Sequence, residues 1–152
     1  MKRLTHPVLA SLLLMPSFTG CLGLRNPSVH YVLPDGYTGV FEIILDEQNG
    51  LDVTREGWSY TYEIPPDGVL RVRSFAPFRR MHTVTAAYRS GSGIVIPDST
   101  VSDDTIALRS LGSYTRADGP DTMVSVIGTK KEADRVLRLM GSPEFDNVPP
   151  NP

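Results

Sequence analysis

Short apolar or alternating runs along the chain are separated by clusters of Gly, Pro, Asn and Asp, which is the pattern of strands and turns. The runs are VHYVLP (29–34), GVFEIILD (39–46), WSYTYEI (58–64), GVLRVRSF (68–75), RRMHTVTAAYR (79–89), SGIVIP (92–97), TIALRSLGSY (105–114) and TMVSVIG (122–128). Turn signals recur at about the 8–12-residue spacing of a sandwich or barrel. Asn49-Gly50, inside EQNGLD (47–52), is a short hairpin signal, because both residues tolerate positive φ. Pro66-Asp67-Gly68 is a second turn with a defined mechanism.

Only TKKEADRVLRLMG (129–141) has a helical period. Thr129 with Glu132 three residues on forms a capping box. Ala133, Val136, Leu137 and Met140 fall on one face, Gly141 suits the C′ position, and Pro143 blocks extension. The pattern therefore predicts a mainly β, antiparallel sandwich-like domain over 29–141 that ends in a helix over 129–140, with an α+β layer as the alternative. The tail 142–152 carries Pro143, Pro149, Pro150 and Pro152 and little that is apolar, so it is expected to be disordered.

The N-terminus has the layout of an export signal. Lys2 and Arg3 precede the apolar run VLASLLLM (8–15), which falls far short of the roughly 20 residues a spanning helix needs. Pro16 breaks any helix there, and small residues lead to Gly20-Cys21. This arrangement resembles the lipobox of bacterial lipoproteins, although Phe18 stands where that family usually has leucine. The resemblance implies a diacylglycerol on the Cys21 sulfur, removal of residues 1–20, acylation of the new amine, and a tether over 21–28. It also implies an extracytoplasmic, lipid-anchored protein of the cell membrane or outer membrane. Leu22 stands where an inner-membrane retention signal often has Asp. More than one acyl chain makes such an anchor stable.

Charge narrows the function classes. The full chain has a net charge of −2, and loss of Lys2 and Arg3 makes it more acidic, which is not the balance of a nucleic-acid binder. Cys21 is the only cysteine, so with it lipidated no thiol is left for a disulfide, a nucleophile or a metal. Past the leader there are only two histidines, His30 and His82, and LDEQNGLD lacks the alternating ligands of a calcium loop. No metal, cofactor or catalytic residues are assigned. RSGSGI has no nucleophile elbow, and Asp103-Asp104 are adjacent rather than paired across a site.

Two stretches remain as candidate binding sites. Trp58, Tyr60 and Tyr62 alternate along one strand face and offer an aromatic surface, unless they form the core side of that strand. From Gly68 to Pro97 there is no acid, while Arg71, Arg73, Arg79, Arg80 and Arg89 are all present. Guanidinium groups suit phosphate and carboxylate, so this block is a candidate anion or partner site, unless acids elsewhere balance it. Arg71 and Arg73 are expected to share the strand face opposite Leu70 and Val72.

Three stretches, LPDGYTGVFEI (33–43), IPPDGVLRVRS (64–74) and VSVIGTKKEAD (124–134), resemble an uncharacterised family of bacterial exported domains, often lipoproteins. These are turn and cap residues, so the resemblance implies a fold and no activity. The expected role is a non-catalytic binding or structural module of the cell envelope, with an anionic envelope component or a protein as partner. The alternatives are an envelope hydrolase, with His30 or His82 beside a carboxylate and a serine, or an accessory subunit of an envelope complex.

Overall fold

A computed structural model describes residues 26–115, 119–140 and 142–147. Its strands are β1 (Ser28–Leu33), β2 (Gly39–Leu45), β3 (Thr54–Glu56), β4 (Ser59–Glu63), β5 (Val69–Val72), β6 (Thr83–Tyr88), β7 (Ala107–Thr115) and β8 (Asp121–Gly128), followed by helix α1 (Lys130–Leu139). They form two four-stranded sheets, in the orders β3-β4-β1-β6 and β5-β2-β8-β7. The mainly β fold with a C-terminal helix agrees with the sequence pattern.

The pairing is mixed rather than wholly antiparallel. β1 lies parallel to both β4 and β6, and β2 lies parallel to β5. The remaining pairs, β3–β4, β2–β8 and β7–β8, are antiparallel. The cause is connectivity. The chain crosses between sheets after β1, β2, β4, β5 and β6, so β4 and β6 come back to their sheet running the same way as β1. Strand VHYVLP is central in its sheet, with a partner on each side.

Strand alternation sets the core between the sheets. β1 supplies Val29, Tyr31 and Leu33, β2 supplies Phe41 and Ile43, and Tyr62, Ile64, Leu70, Val72, Leu108 and Ile127 complete it. Each large side chain buried there contributes roughly 1.5–3 kcal/mol from removal of apolar surface. The second sheet is covered on its other face as well. Val40, Val124 and Val126 meet Ala133 and Val136 of α1, together with Phe145. A strand buried on both faces explains why TMVSVIG reads as a nearly continuous apolar run. Among the described residues, the outer face of the first sheet has no such cover; it carries Ser28, His30, Thr61, Thr83 and Thr85, with His30 Nδ1 2.8 Å from Thr85 Oγ1.

The capping box of α1 forms as the sequence predicts. The Glu132 carboxylate accepts from the Thr129 N–H at 2.7 Å, and the Thr129 hydroxyl accepts from the Glu132 N–H at 3.3 Å. The Thr129 hydroxyl also donates to that carboxylate at 2.8 Å, and the backbone and hydroxyl bonds from Thr129 together hold the Glu132 carboxyl below its ordinary range. The predicted C′ residue, Gly141, lies outside the described residues.

Four local expectations are corrected. Asn49-Gly50 does not turn a hairpin: the Gly50 N–H donates to the Asp46 carbonyl at 2.8 Å, and Leu51 then bridges to Val72 in β5, the edge strand of the sheet that β2 belongs to. Glycine is required there by close approach, since a Cβ at position 50 would sit 2.4 Å from the Val72 carbonyl carbon. The run 79–89 is not one strand, because Pro77 nucleates a 3-10 turn at Ala76–Arg79 and β6 starts only at Thr83. Residues 92–97 form no named strand; they touch β6 through Ala87–Gly93 and the Ile94 N–H, then cross to β7 through the Val95 carbonyl. The expected disordered tail begins with a 3-10 turn at Pro143–Asn147, where Phe145 is buried against Tyr114 at 5.6 Å. The remaining tail, 148–152, lies outside the described residues, as do the expected leader, 1–20, and Cys21.

Candidate functional site

The two ends of the sandwich differ, and the candidate site occupies the end where the chain enters. There the Ser28 N–H donates to the Trp58 carbonyl at 2.9 Å and the Thr83 N–H to the Pro27 carbonyl at 3.1 Å. The starts of β1, β4 and β6 are therefore level at this end. β2 and β5 finish at the same end, where the Asp46 N–H bonds the Val72 carbonyl at 2.8 Å. The 3-10 turn Ala76–Arg79 closes the gap between the sheets. Pro77 is buried there, and the Phe78 ring lies 5.2 Å from that of Tyr62 and 5.7 Å from that of Phe75.

Two open clefts flank that turn and share Arg73, Ser74 and Ala76. One, of about 240 Å³, is lined by residues that include Arg55, Tyr60, Tyr62 and Arg73. The other, of about 550 Å³, is lined by residues that include Glu47, Arg73, Arg79 and Arg80. Arg73 is fixed between them: its Nε donates to the Gly50 carbonyl at 2.8 Å and its Nη1 lies 3.6 Å from the Asp52 carboxylate. Both partners of that ion pair are largely exposed, so it orients Arg73 more than it stabilises the fold.

The aromatic row runs from solvent to core. Trp58 is 45% exposed, Tyr60 is half-buried, and Tyr62 is fully buried. Tyr62 is thus a core residue and not part of an aromatic surface. It alternates inward on a strand whose inner face meets Tyr31 at 5.9 Å between rings. Its hydroxyl is buried and has no hydrogen-bond partner among the described residues, and the side chain forms part of the lining of the smaller cleft. Burial pushes the Tyr62 phenol well above its ordinary range, and the neighbouring phenols of Tyr31 and Tyr60 add to this.

The arginine block is divided by the fold. Arg73, Arg79 and Arg80 converge on the larger cleft. Arg71 points away from buried Leu70 and Val72, onto the outer face of the second sheet. Arg89 is at the far end, where its charge helps lower the Asp35 carboxyl after the two Ser90 hydrogen bonds that dominate that shift. Counter-charge at the arginine end comes from nearby acids that include Glu47, in the larger cleft, and Asp52, beside Arg73. Asp103 lies 4.0 Å from Lys130.

Arg55 belongs to the site and is invisible in residues 68–97 alone. Its Nε donates to the Gly57 carbonyl at 2.8 Å, and its guanidinium lies 5.3 Å from the Tyr60 ring and 5.9 Å from the Trp58 ring. Alternation carries the signal: on a hairpin centred on Gly57-Trp58, Arg55 pairs with Tyr60 and shares its face.

The histidines are placed by local partners. His82 Nδ1 lies 2.8 Å from the Arg80 carbonyl and its ring packs edge-on to Phe78 at 5.4 Å. His30 contacts the Thr85 hydroxyl. Neither of these partners is the carboxylate that the hydrolase alternative requires. Among the described residues, no three His, Cys, Asp or Glu side chains gather into a metal-binding group, and no helix is long and apolar enough to cross a membrane.

No protein-family model matches the chain, and no curated protein matches it in sequence. In fold it resembles a crystal structure from Bacillus anthracis of a protein provisionally described as a lipoprotein, at 12% identity and a TM-score of 0.44, over 66% of this chain and 68% of that one. A likeness that distant says nothing of function, which has to be sought in the residues of this chain.

Proposed function

We propose that the protein is an envelope module anchored by lipid on Cys21 outside the cytoplasm, and that it binds an anionic envelope component without catalysis. The observation that carries the binding role is the convergence of Arg73, Arg79 and Arg80 on an open cleft of about 550 Å³ whose lining includes one acid, Glu47. Guanidinium forks bind phosphate and carboxylate in two-pronged geometry, and an open cleft admits a head group without rearrangement. The leader, the lipobox-like Gly20-Cys21 and the lack of any other cysteine support the anchor.

The two halves of this reading are tested separately. Cys21→Ser is expected to move the protein from the membrane fraction to the soluble fraction, and a variant that stays in the membrane fraction removes the anchor. Binding is tested by thermal shift with inorganic phosphate, glycerol phosphate and a uronic acid. A ligand at 100 times its Kd stabilises the native state by about 2.7 kcal/mol, which for a domain of this size raises Tm by roughly 10 °C. The shift is expected to vanish in Arg79→Ala/Arg80→Ala and to persist in Arg71→Ala. No shift with any of the three removes the anion-binding role.

A further inference from the structure

We infer that the end of the sandwich where the chain enters is a membrane-contact surface: Trp58 and Met81 settle into the headgroup layer of an anionic bilayer, and Arg55, Arg79 and Arg80 take lipid phosphates. This deepens the proposed function by naming the bilayer as the partner of the arginine end, and it rests on Cys21 as the point of lipid attachment.

Chain length supplies the first argument. Six peptide steps separate Cys21 from Pro27, a reach of at most about 22 Å when fully extended. β1 then runs away from that point over Ser28–Leu33, so the far end lies roughly 20 Å further off. A lipid on Cys21 therefore keeps the near end at the bilayer. The far end reaches the surface only with the tether fully extended and folded back along the domain.

Surface chemistry supplies the second. Trp58 and Thr83 flank the point where the chain enters, each bonded to backbone at Pro27–Ser28, so they lie about one strand spacing, ~5 Å, to either side. Trp58 is 45% exposed, and Met81, two residues before Thr83, is 80% exposed. An indole with an apolar body and a polar N–H suits the interface between water and acyl chains. Arg55 lies over the Trp58 ring, and Arg79 and Arg80 directly precede Met81. Every fixed positive charge from residue 54 to 97 is an arginine, the side chain whose fork matches phosphate. Asp46, Glu47, Asp52 and Glu56 share this end, so net charge alone does not select it. Asp52 is held by Arg73, and Glu56 pairs in register with Ser59, on the outer face of the first sheet. The placing comes from apolar tips and arginines side by side at the tether.

Trp58 is the only tryptophan in the chain, so its fluorescence reports on this surface alone. The full lipidated chain is reconstituted into vesicles of phosphatidylcholine with phosphatidylglycerol, with and without acyl-chain bromination, and titrated with aqueous acrylamide. Blue-shifted emission, quenching by the brominated lipid and protection from acrylamide are the expected result. Arg79→Ala/Arg80→Ala is expected to remain in the vesicle pellet but to lose the docked state by about fivefold for each arginine, and phosphatidylcholine alone is expected to mimic that loss. A pelleted chain whose Trp58 is quenched by acrylamide and not by bromine overturns the membrane-contact surface while leaving the anchor intact. Equal docking on phosphatidylcholine alone overturns the role of the arginines. A chain that does not pellet at all overturns the anchor, and this orientation falls with it.

Discussion

The far end of the sandwich satisfies its own polar groups, whereas the near end turns them to solvent. At the far end the Tyr37 N–H bonds the Pro34 carbonyl at 3.1 Å, the Gly68 N–H bonds the Pro65 carbonyl at 2.9 Å, and the Tyr88 hydroxyl donates to the Tyr37 carbonyl at 3.1 Å. The buried Tyr37 hydroxyl donates to the Val40 carbonyl, and Asp35 accepts from the Ser90 N–H at 2.8 Å. Gly36 and Gly68, with φ of 72° and 73°, make the tight turns possible. At the near end Arg55, Arg79, Arg80, Trp58 and Met81 are exposed, two clefts are open, and the Tyr62 hydroxyl is buried without a partner. One end is closed by its own hydrogen bonds, and the other leaves arginines, Trp58 and two clefts open to solvent. Function is therefore expected to respond to near-end substitutions and stability to far-end ones, apart from the aromatic plug that closes the near end.

The plug gives the largest effect. Phe78 bridges Tyr62, Phe75 and His82, at ring separations of 5.2, 5.7 and 5.4 Å. Phe78→Ala is expected to cost on the order of 3 kcal/mol in chemical denaturation, because the aromatic wall collapses only partly into the space left. A cost below about 1 kcal/mol would mean that the turn Ala76–Arg79 is not part of the cooperative core. Tyr37→Phe at the far end comes next. It removes a donor from the buried Val40 carbonyl, and an unsatisfied buried acceptor costs about 1–3 kcal/mol. An unchanged denaturation midpoint would show that water replaces the hydroxyl and that the far end is less closed than its bonding implies.

The same contrast separates what the sequence shows from what it conceals. Period-2 alternation located β4, short apolar runs located β2 and β8, and the Thr129/Glu132 capping box located α1 almost to the residue, because those signals are local. The crossings between sheets were not legible. Asn49-Gly50 carries hairpin chemistry, but the chain there folds back against β5, and it is the space left by the missing Cβ of Gly50 that matters. The arginine block was visible as composition, yet its division was not. Arg71 and Arg73 are two residues apart, and β5 ends between them, at Val72, so only Arg73 reaches the clefts. Arg55 joins them from another strand, a juxtaposition that only tertiary structure produces.

The helix cap extends the comparison to pH. Thr129 follows the end of β8, beside the start of β2 at the far end. Thr129→Ala is expected to cost about 1 kcal/mol, the usual worth of an N-cap. Glu132 has a lowered folded-state value, so its contribution is present above the ordinary glutamate range and is lost as pH falls through the lowered value. Wild-type stability should therefore fall on acidification in that window, and Glu132→Gln should flatten the fall. An equally steep fall in Glu132→Gln would place the acid sensitivity elsewhere, with Asp35 and Asp98 the next carboxylates to test, since hydrogen bonds from Ser90 and Thr100 lower them too.

The smallest effect on stability discriminates most sharply between the two ends. Tyr62→Phe removes a hydroxyl that is buried and makes no hydrogen bond, so the folded state loses no bond while a desolvated polar group disappears. The expected change is neutral or stabilising by up to about 1 kcal/mol, opposite in sign to Tyr37→Phe although both substitutions delete the same atom from a buried tyrosine. Tyr62→Phe is therefore expected to melt no lower than wild type. A variant that melts lower without ligand would show that water or a neighbouring group satisfies the hydroxyl. In that case the near end would be closed in the same manner as the far end, and the contrast between them would reduce to the exposed arginines and Trp58.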